Sequence, residues 1–180
     1  MNNPWRITGT REVYANRWIE VREDGVIHPS GNPGIYGVVH FNNLAIGVIP
    51  VDGEGNTWLV GQYRYPLKQY SWEIPEGGVP LGENPLHGAQ RELLEETGIV
   101  ATQWTLLLEM HLSNSVSDER ALVYVAKGLS FQQACPEETE VLSVKKVPLQ
   151  EAFRMVMRGE ITDSMSVAGL LKLQATETAL

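Results

Sequence analysis

The chain has 180 residues, of which 43% are apolar and 20% charged. That suffices for one ordinary domain with a small appendage, and for a core that needs neither disulfides nor a structural metal. The formal net charge of −8 excludes broad binding to nucleic acid or to anionic membranes, which require basic surface.

The N-terminus MNNPWRITGT has no basic-then-apolar signal pattern, and no run of about 18 apolar residues occurs, so a cytoplasmic protein is expected. Cys135 is the single cysteine; it excludes an internal disulfide, suits a reducing compartment and reads as an inert loop thiol. The first forty residues read as short strands broken by turns. RWIEVR (Arg17–Arg22) alternates, PSGNPG (Pro29–Gly34) is a turn cluster, and IYGVVHF (Ile35–Phe41) is β-rich. This segment is too short to hold a core alone. It is expected to pack on the main domain or on a second copy of the chain.

A second set of strands begins at Asn43, dividing the chain into residues 1–42 and 43–180. LAIGVIP (Leu44–Pro50) and TWLVGQY (Thr57–Tyr63) read as strands, KQYSWEIPEGG as irregular, and Pro85–Thr97 as a helix. Asn84 can cap that helix, Pro85 suits its first turn, and Gly98 can take the left-handed conformation that stops it. Further strands are expected over Trp104–Leu112, Ala121–Ala126 and Thr139–Val147. Helices are expected over Pro148–Arg158 and from Ser164, capped by Asp163, to about Ala175. Strands and helices interspersed in this way imply an α/β protein with a mixed sheet flanked by helices.

The end of the first helix is electrostatically odd. Glu92, Glu95 and Glu96 lie three and four residues apart, so they share a face beside the apolar stripe of Leu86, Ala89 and Leu93. Each like-charged pair costs about 0.2–0.5 kcal/mol, and a helix C-terminus adds roughly 0.3–1 kcal/mol per acid. Arg91 offsets part of this by pairing with Glu95. A fourth acid, Glu83, precedes the helix, and Gly77 and Gly78 open a glycine-rich loop just upstream. Clustered carboxylates of this kind suit a hard divalent cation, Mg²⁺ or Mn²⁺.

The run GGVPLGENPLHGAQRELLEETGI, from Gly77 to Ile99, has the form G-x5-E-x7-R-E-L-L-E-E-T-G-I. It resembles the signature of the Nudix hydrolases at every defining position. The resemblance implies an α/β/α sandwich around a mixed sheet and a Mg²⁺-dependent hydrolysis of a nucleoside diphosphate linked to another group, with Mn²⁺ as a substitute. It implies that Glu92, Glu95 and Glu96 are metal ligands, with the main-chain carbonyl of Glu76 as a further one. Glu83 and Arg91 would orient the cluster.

The flanking stretches QYRYPLKQYSWEIPEGG, WIEVREDGVIHPSGNPGIYGVVHF and PEETEVLSVKKVPLQEAFRMVMRGEITDSMSV are similar to the ADP-ribose and nucleoside-diphosphate-sugar pyrophosphatase branch. That likeness implies a small N-terminal antiparallel β subdomain that crosses a homodimer. It also implies substrate contacts from Arg64, Gly77 and Gly78. Tyr63, Tyr65, Tyr70 and Trp72 could stack on a base, although aromatics at strand positions are more often core. Two loop glutamates qualify as general base, Glu140 in the acidic stretch and Glu119 in SNSVSDE, with Glu140 preferred. Asn114 and Ser115 stand where that branch usually has a proline. GDP-mannose or another sugar diphosphate is therefore an alternative substrate. Dinucleoside polyphosphates and oxidised nucleoside triphosphates are a separate alternative, against which the N-terminal subdomain argues, and a non-catalytic nucleotide-sugar-binding regulator is the alternative from another class.

Overall fold

A computed structural model describes residues 2–134 and 141–178. Its strands form three sheets. β1 (Arg6–Ala15), β2 (Ile19–Ile27) and β3 (Pro33–Phe41) make an antiparallel N-terminal sheet. β4 (Asn43–Pro50) is central to a mixed sheet in the order β7-β4-β9-β8, with β7 (Glu76–Pro80), β8 (Ile99–His111) and β9 (Arg120–Phe131). β4 runs parallel to β9 and antiparallel to β7. β5 (Asn56–Arg64) sits between β6 (Gln69–Glu73) and β10 (Ser143–Pro148) in a second antiparallel sheet.

Side chains alternate across the mixed sheet and build two cores. Ile46 and Val48 of β4, with Leu122, Tyr124 and Ala126 of β9, pack beneath α1 (Pro85–Thr97) against Ala89 and Leu93. Ile49, Ala121, Val123 and Val125 face the other way. They pack with α2 (Leu149–Met157) and α3 (Ser164–Thr178) through Ala152, Phe153, Met165, Leu170 and Leu173. The result is the expected α/β/α sandwich.

α1 spans the residues expected of it. The Asn84 side chain accepts from Leu86 N at 3.0 Å, and Gly98 closes the helix at φ 70° with its N–H on Leu94 O. A side chain at Gly98 would meet Gln132 O as well as a backbone strain. Asp163 caps α3 as expected, accepting from Ser166 N at 2.8 Å.

Three expectations are corrected. β1 was not anticipated, because all ten of its residues are exposed and it presents no buried face to create an alternating pattern. The supposedly irregular stretch before α1 is β6 and β7. The inward positions of β6 are Ser71 and Glu73, so polar residues lie where apolar ones mark a strand. β8 and β9 run longer than expected because Ile99–Ala101 pair with Leu129–Phe131. The start of the strand expected over Thr139–Val147 lies outside the described residues, as does Cys135; the described strand there is β10.

The N-terminal sheet is fastened to the loop between β8 and β9. Val39 N donates to Val116 O at 2.8 Å, and Asp118 N donates to Val39 O. Phe41 N donates to Asp118 Oδ1, His40 Nδ1 lies 2.5 Å from Asp118 Oδ2, and Tyr36 Oη donates to Ser115 O.

Candidate active site

β7 and α1 meet at the signature residues. Glu96 is 3% exposed, and its Oε2 accepts from Glu76 N at 2.9 Å. The helix thus holds the start of β7 by its main chain. Glu92 lies directly over Gly77, where a Cβ would fall 2.2 Å from the Glu92 carboxyl carbon. A side chain at position 77 would push the Glu92 carboxylate aside. Arg91 contacts Glu92 at 2.9 Å and Glu95 at 3.2 Å, and donates to Gly78 O. The expected Arg91–Glu95 pair is therefore present, and the same guanidinium bridges helix and loop.

Two adjoining clefts share Trp18, Asn43, Gly77 and Gly78 along their common wall. The larger, ≈ 620 Å³, is lined by Glu92, Arg91, Glu83 and Arg17. The smaller, ≈ 380 Å³, is lined by Arg64, Glu76, Glu119 and Asp163. Of the site residues expected from sequence, Glu92, Arg91, Gly77, Gly78, Glu76, Arg64 and Glu119 converge on this pair of clefts. Glu96 lies beneath them, Glu95 is held beside them by Arg91, and Glu140 is outside the described residues.

Arg64, a substrate contact by the family resemblance, is engaged by neighbouring carboxylates. Its Nε lies 3.0 Å from both oxygens of Glu73, its Nη2 lies 2.6 Å from Glu73 Oε2, and Nη2 also pairs with Glu76. These carboxylates raise the guanidinium's pKa further above its ordinary value, against the opposing effect of burial. Glu76 is raised as well: burial first, then Asp163 and Glu73, push its carboxyl well above the usual range. Burial also raises Glu119.

Several site residues escaped the sequence reading. Trp18 is 51% exposed, lies at the junction of both clefts, and has the Arg17 guanidinium 4.0 Å from its ring centroid. A tryptophan at the head of a strand next to an arginine was its signal. Asp163 was read only as a helix cap, yet it also faces Glu73 and Glu76. Oxygen donors alone make up the acid set of Glu92, Glu95, Glu96 and the Glu76 main chain. That donor chemistry suits a hard divalent ion, but among the described residues the three carboxylates that lie within 4.8 Å of one another are those of Glu73, Glu76 and Asp163, not the signature three.

Comparison with known proteins bears on the family. A family model described as "NUDIX domain" matches residues 42–165, and one described as "Nucleoside diphosphate sugar hydrolase N-terminal domain" matches residues 5–39. The chain is 36% identical to an ADP-ribose pyrophosphatase of Mycobacterium tuberculosis over 88% of this chain and 77% of the relative. It is 34% identical to a methanol dehydrogenase activator of Bacillus methanolicus over 93% of this chain and 91% of the relative. A crystal structure of an ADP compounds hydrolase superposes with a TM-score of 0.87 at 20% identity, covering 97% of this chain and 95% of that one.

Proposed function

The chain belongs to the Nudix hydrolase family, and on that premise we propose that it hydrolyses the pyrophosphate bond of a nucleoside diphosphate sugar of the ADP-ribose kind, releasing a nucleoside monophosphate and a sugar phosphate. The observation that carries the reading is the Glu96–Glu76 contact. It sets the signature helix against β7 at the wall shared by the two adjoining clefts.

Nudix hydrolases depend in general on a divalent cation; here Mg²⁺, with Mn²⁺ as substitute, would be held by Glu92, Glu95, Glu96 and the Glu76 carbonyl. When bound, such an ion neutralises pyrophosphate charge and lowers the pKa of water. The remaining work belongs to the chain. Arg91 holds Glu92 and Glu95 in place, Gly77 and Gly78 let a diphosphate approach the backbone, and Trp18 offers a ring face for a base. Glu119 is the general base among the described residues, in a cleft whose desolvation raises its carboxyl above the usual range. The exposed Ile7, Val13 and Tyr14 of β1 support a homodimer built through the N-terminal sheets. No helix among the described residues is long and apolar enough to cross a membrane.

The test is a substrate panel with Mg²⁺ that reads released AMP, GMP and phosphate. Turnover of ADP-ribose ahead of GDP-mannose and of triphosphates is expected; activity on triphosphates alone overturns the reading. The name of the Bacillus methanolicus relative favours a second reading, a regulator that binds a nucleotide sugar. Binding of ADP-ribose without turnover would select it.

A further inference from the structure

The chain has a second acid cluster, outside the signature. Glu73 ends β6, Glu76 begins β7, and Asp163 immediately precedes α3. Each places a carboxylate oxygen within 4.8 Å of the others. The local chain explains the convergence. Ile74 and Pro75 turn the backbone between β6 and β7, and Ile74 N donates to the buried Ser166 Oγ at 2.9 Å, which docks the start of α3 against that turn.

Arg64 is the cation these acids touch. Its fork is taken by Glu73, with one further contact to Glu76. Three carboxyl groups thus converge where the structure supplies one guanidinium. The Glu76 side chain is only 9% exposed, and its Oε2 is buried with no hydrogen-bond partner among the described residues. A buried carboxylate oxygen in that state requires either a proton or a cation. An all-oxygen donor set of three carboxylates, open on one side to a cleft of ≈ 380 Å³, suits a hard divalent ion and no soft one.

We propose that Glu73, Glu76 and Asp163 form a second divalent-cation site, taking Mg²⁺ or Mn²⁺, distinct from the one the signature glutamates would hold. The two are set apart at Glu76, whose main-chain N–H engages Glu96 while its side chain engages Arg64. An ion here turns an acidic cleft wall into one that an anionic diphosphate can approach. The argument rests on the cluster and not on the identity of the substrate.

The experiment uses the full chain stripped of metal by chelation. Mn²⁺ is titrated and its free concentration read by electron paramagnetic resonance. In a Glu92→Gln/Glu96→Gln background, about one Mn²⁺ per chain should still bind, and adding Asp163→Asn should weaken that binding by about tenfold or more. Asparagine retains an oxygen to cap α3; should that variant fail to fold by circular dichroism, Glu76→Gln serves in its place. A background that binds no Mn²⁺, or one whose binding ignores both substitutions, overturns the second site. Failure of the signature site is read separately, as Mn²⁺ binding in the wild type no greater than in the background.

Discussion

Glu96 Oε2 accepts the main-chain N–H of Glu76 at 2.9 Å, across 20 residues of chain and with only 3% of Glu96 exposed. One side chain thus ties the last turn of α1 to the first residue of β7, and the proposed metal ligands derive their mutual placement from that tie.

Glu96→Gln keeps an oxygen that can accept from Glu76 N but removes the charge. Its kcat/KM with ADP-ribose and Mg²⁺ should fall by roughly 10²-fold or more, as the loss of several kcal/mol of charge stabilisation requires. Its thermal midpoint should stay close to that of the wild type. Full activity in the variant contradicts the catalytic role of this helix.

Gly77→Ala places a methyl group on the Glu92 carboxylate. Gly77 is not among the glycines with positive φ, so the backbone tolerates alanine and the effect should be local. Mn²⁺ affinity should drop by about tenfold or more through displacement of that ligand. Gly37→Ala, where a Cβ meets nothing within 4 Å, is the matched control and should be silent.

Glu119 carries opposite signs for stability and for activity. Burial raises its folded pKa above the ordinary 4.5 of a glutamate, so the folded state holds the proton more tightly than the unfolded one. Stability therefore declines as pH rises from about 4.5 through the raised folded value, and the loss persists above it. Glu119→Gln should be more stable than wild type at pH 7 and equal to it below that window, as read by urea midpoints. If Glu119 is the base, the same variant should lose about 10²- to 10⁴-fold in kcat. A large loss in Glu140→Gln with none in Glu119→Gln would transfer that role.

Arg64→Ala strips the partner from Glu73, which is 2% exposed. Breaking a buried pair in this way costs about 3 kcal/mol, the low end of the usual range, because Arg64 itself is about one-third exposed. Denaturant unfolding checks it. Arg64→Lys should lie between the two, since an ammonium cannot reproduce the fork. An Arg64→Ala protein as stable as wild type would mean that the network contributes no net stability.

How much of this was legible before the fold was known depends on where each signal resides. α1 was readable to the residue because its information is local: Asn84 caps it, Pro85 opens it, Gly98 ends it. The signature acids were readable because like charges concentrated at a helix end are disfavoured without a cation. β1 was not, since a strand held only by its ladder to β2 needs no apolar face. β6 was not, because its inward residues are Ser71 and Glu73. The second acid cluster was out of reach for another reason: Asp163 lies 87 positions beyond Glu76, and only the docking of α3 on Ile74 brings them together.

The grip of β3 on the β8–β9 loop makes the N-terminal sheet part of the cleft's mechanics. His40 and Asp118 are 78 residues apart in sequence, and Glu119 follows directly on Asp118. A slip of one residue in the pairing of β3 would be transmitted to the carboxylate inside the smaller cleft. Shortening the chain to residues 43–180 is accordingly no neutral trimming: it releases the backbone that bears Glu119, even where every signature residue is kept.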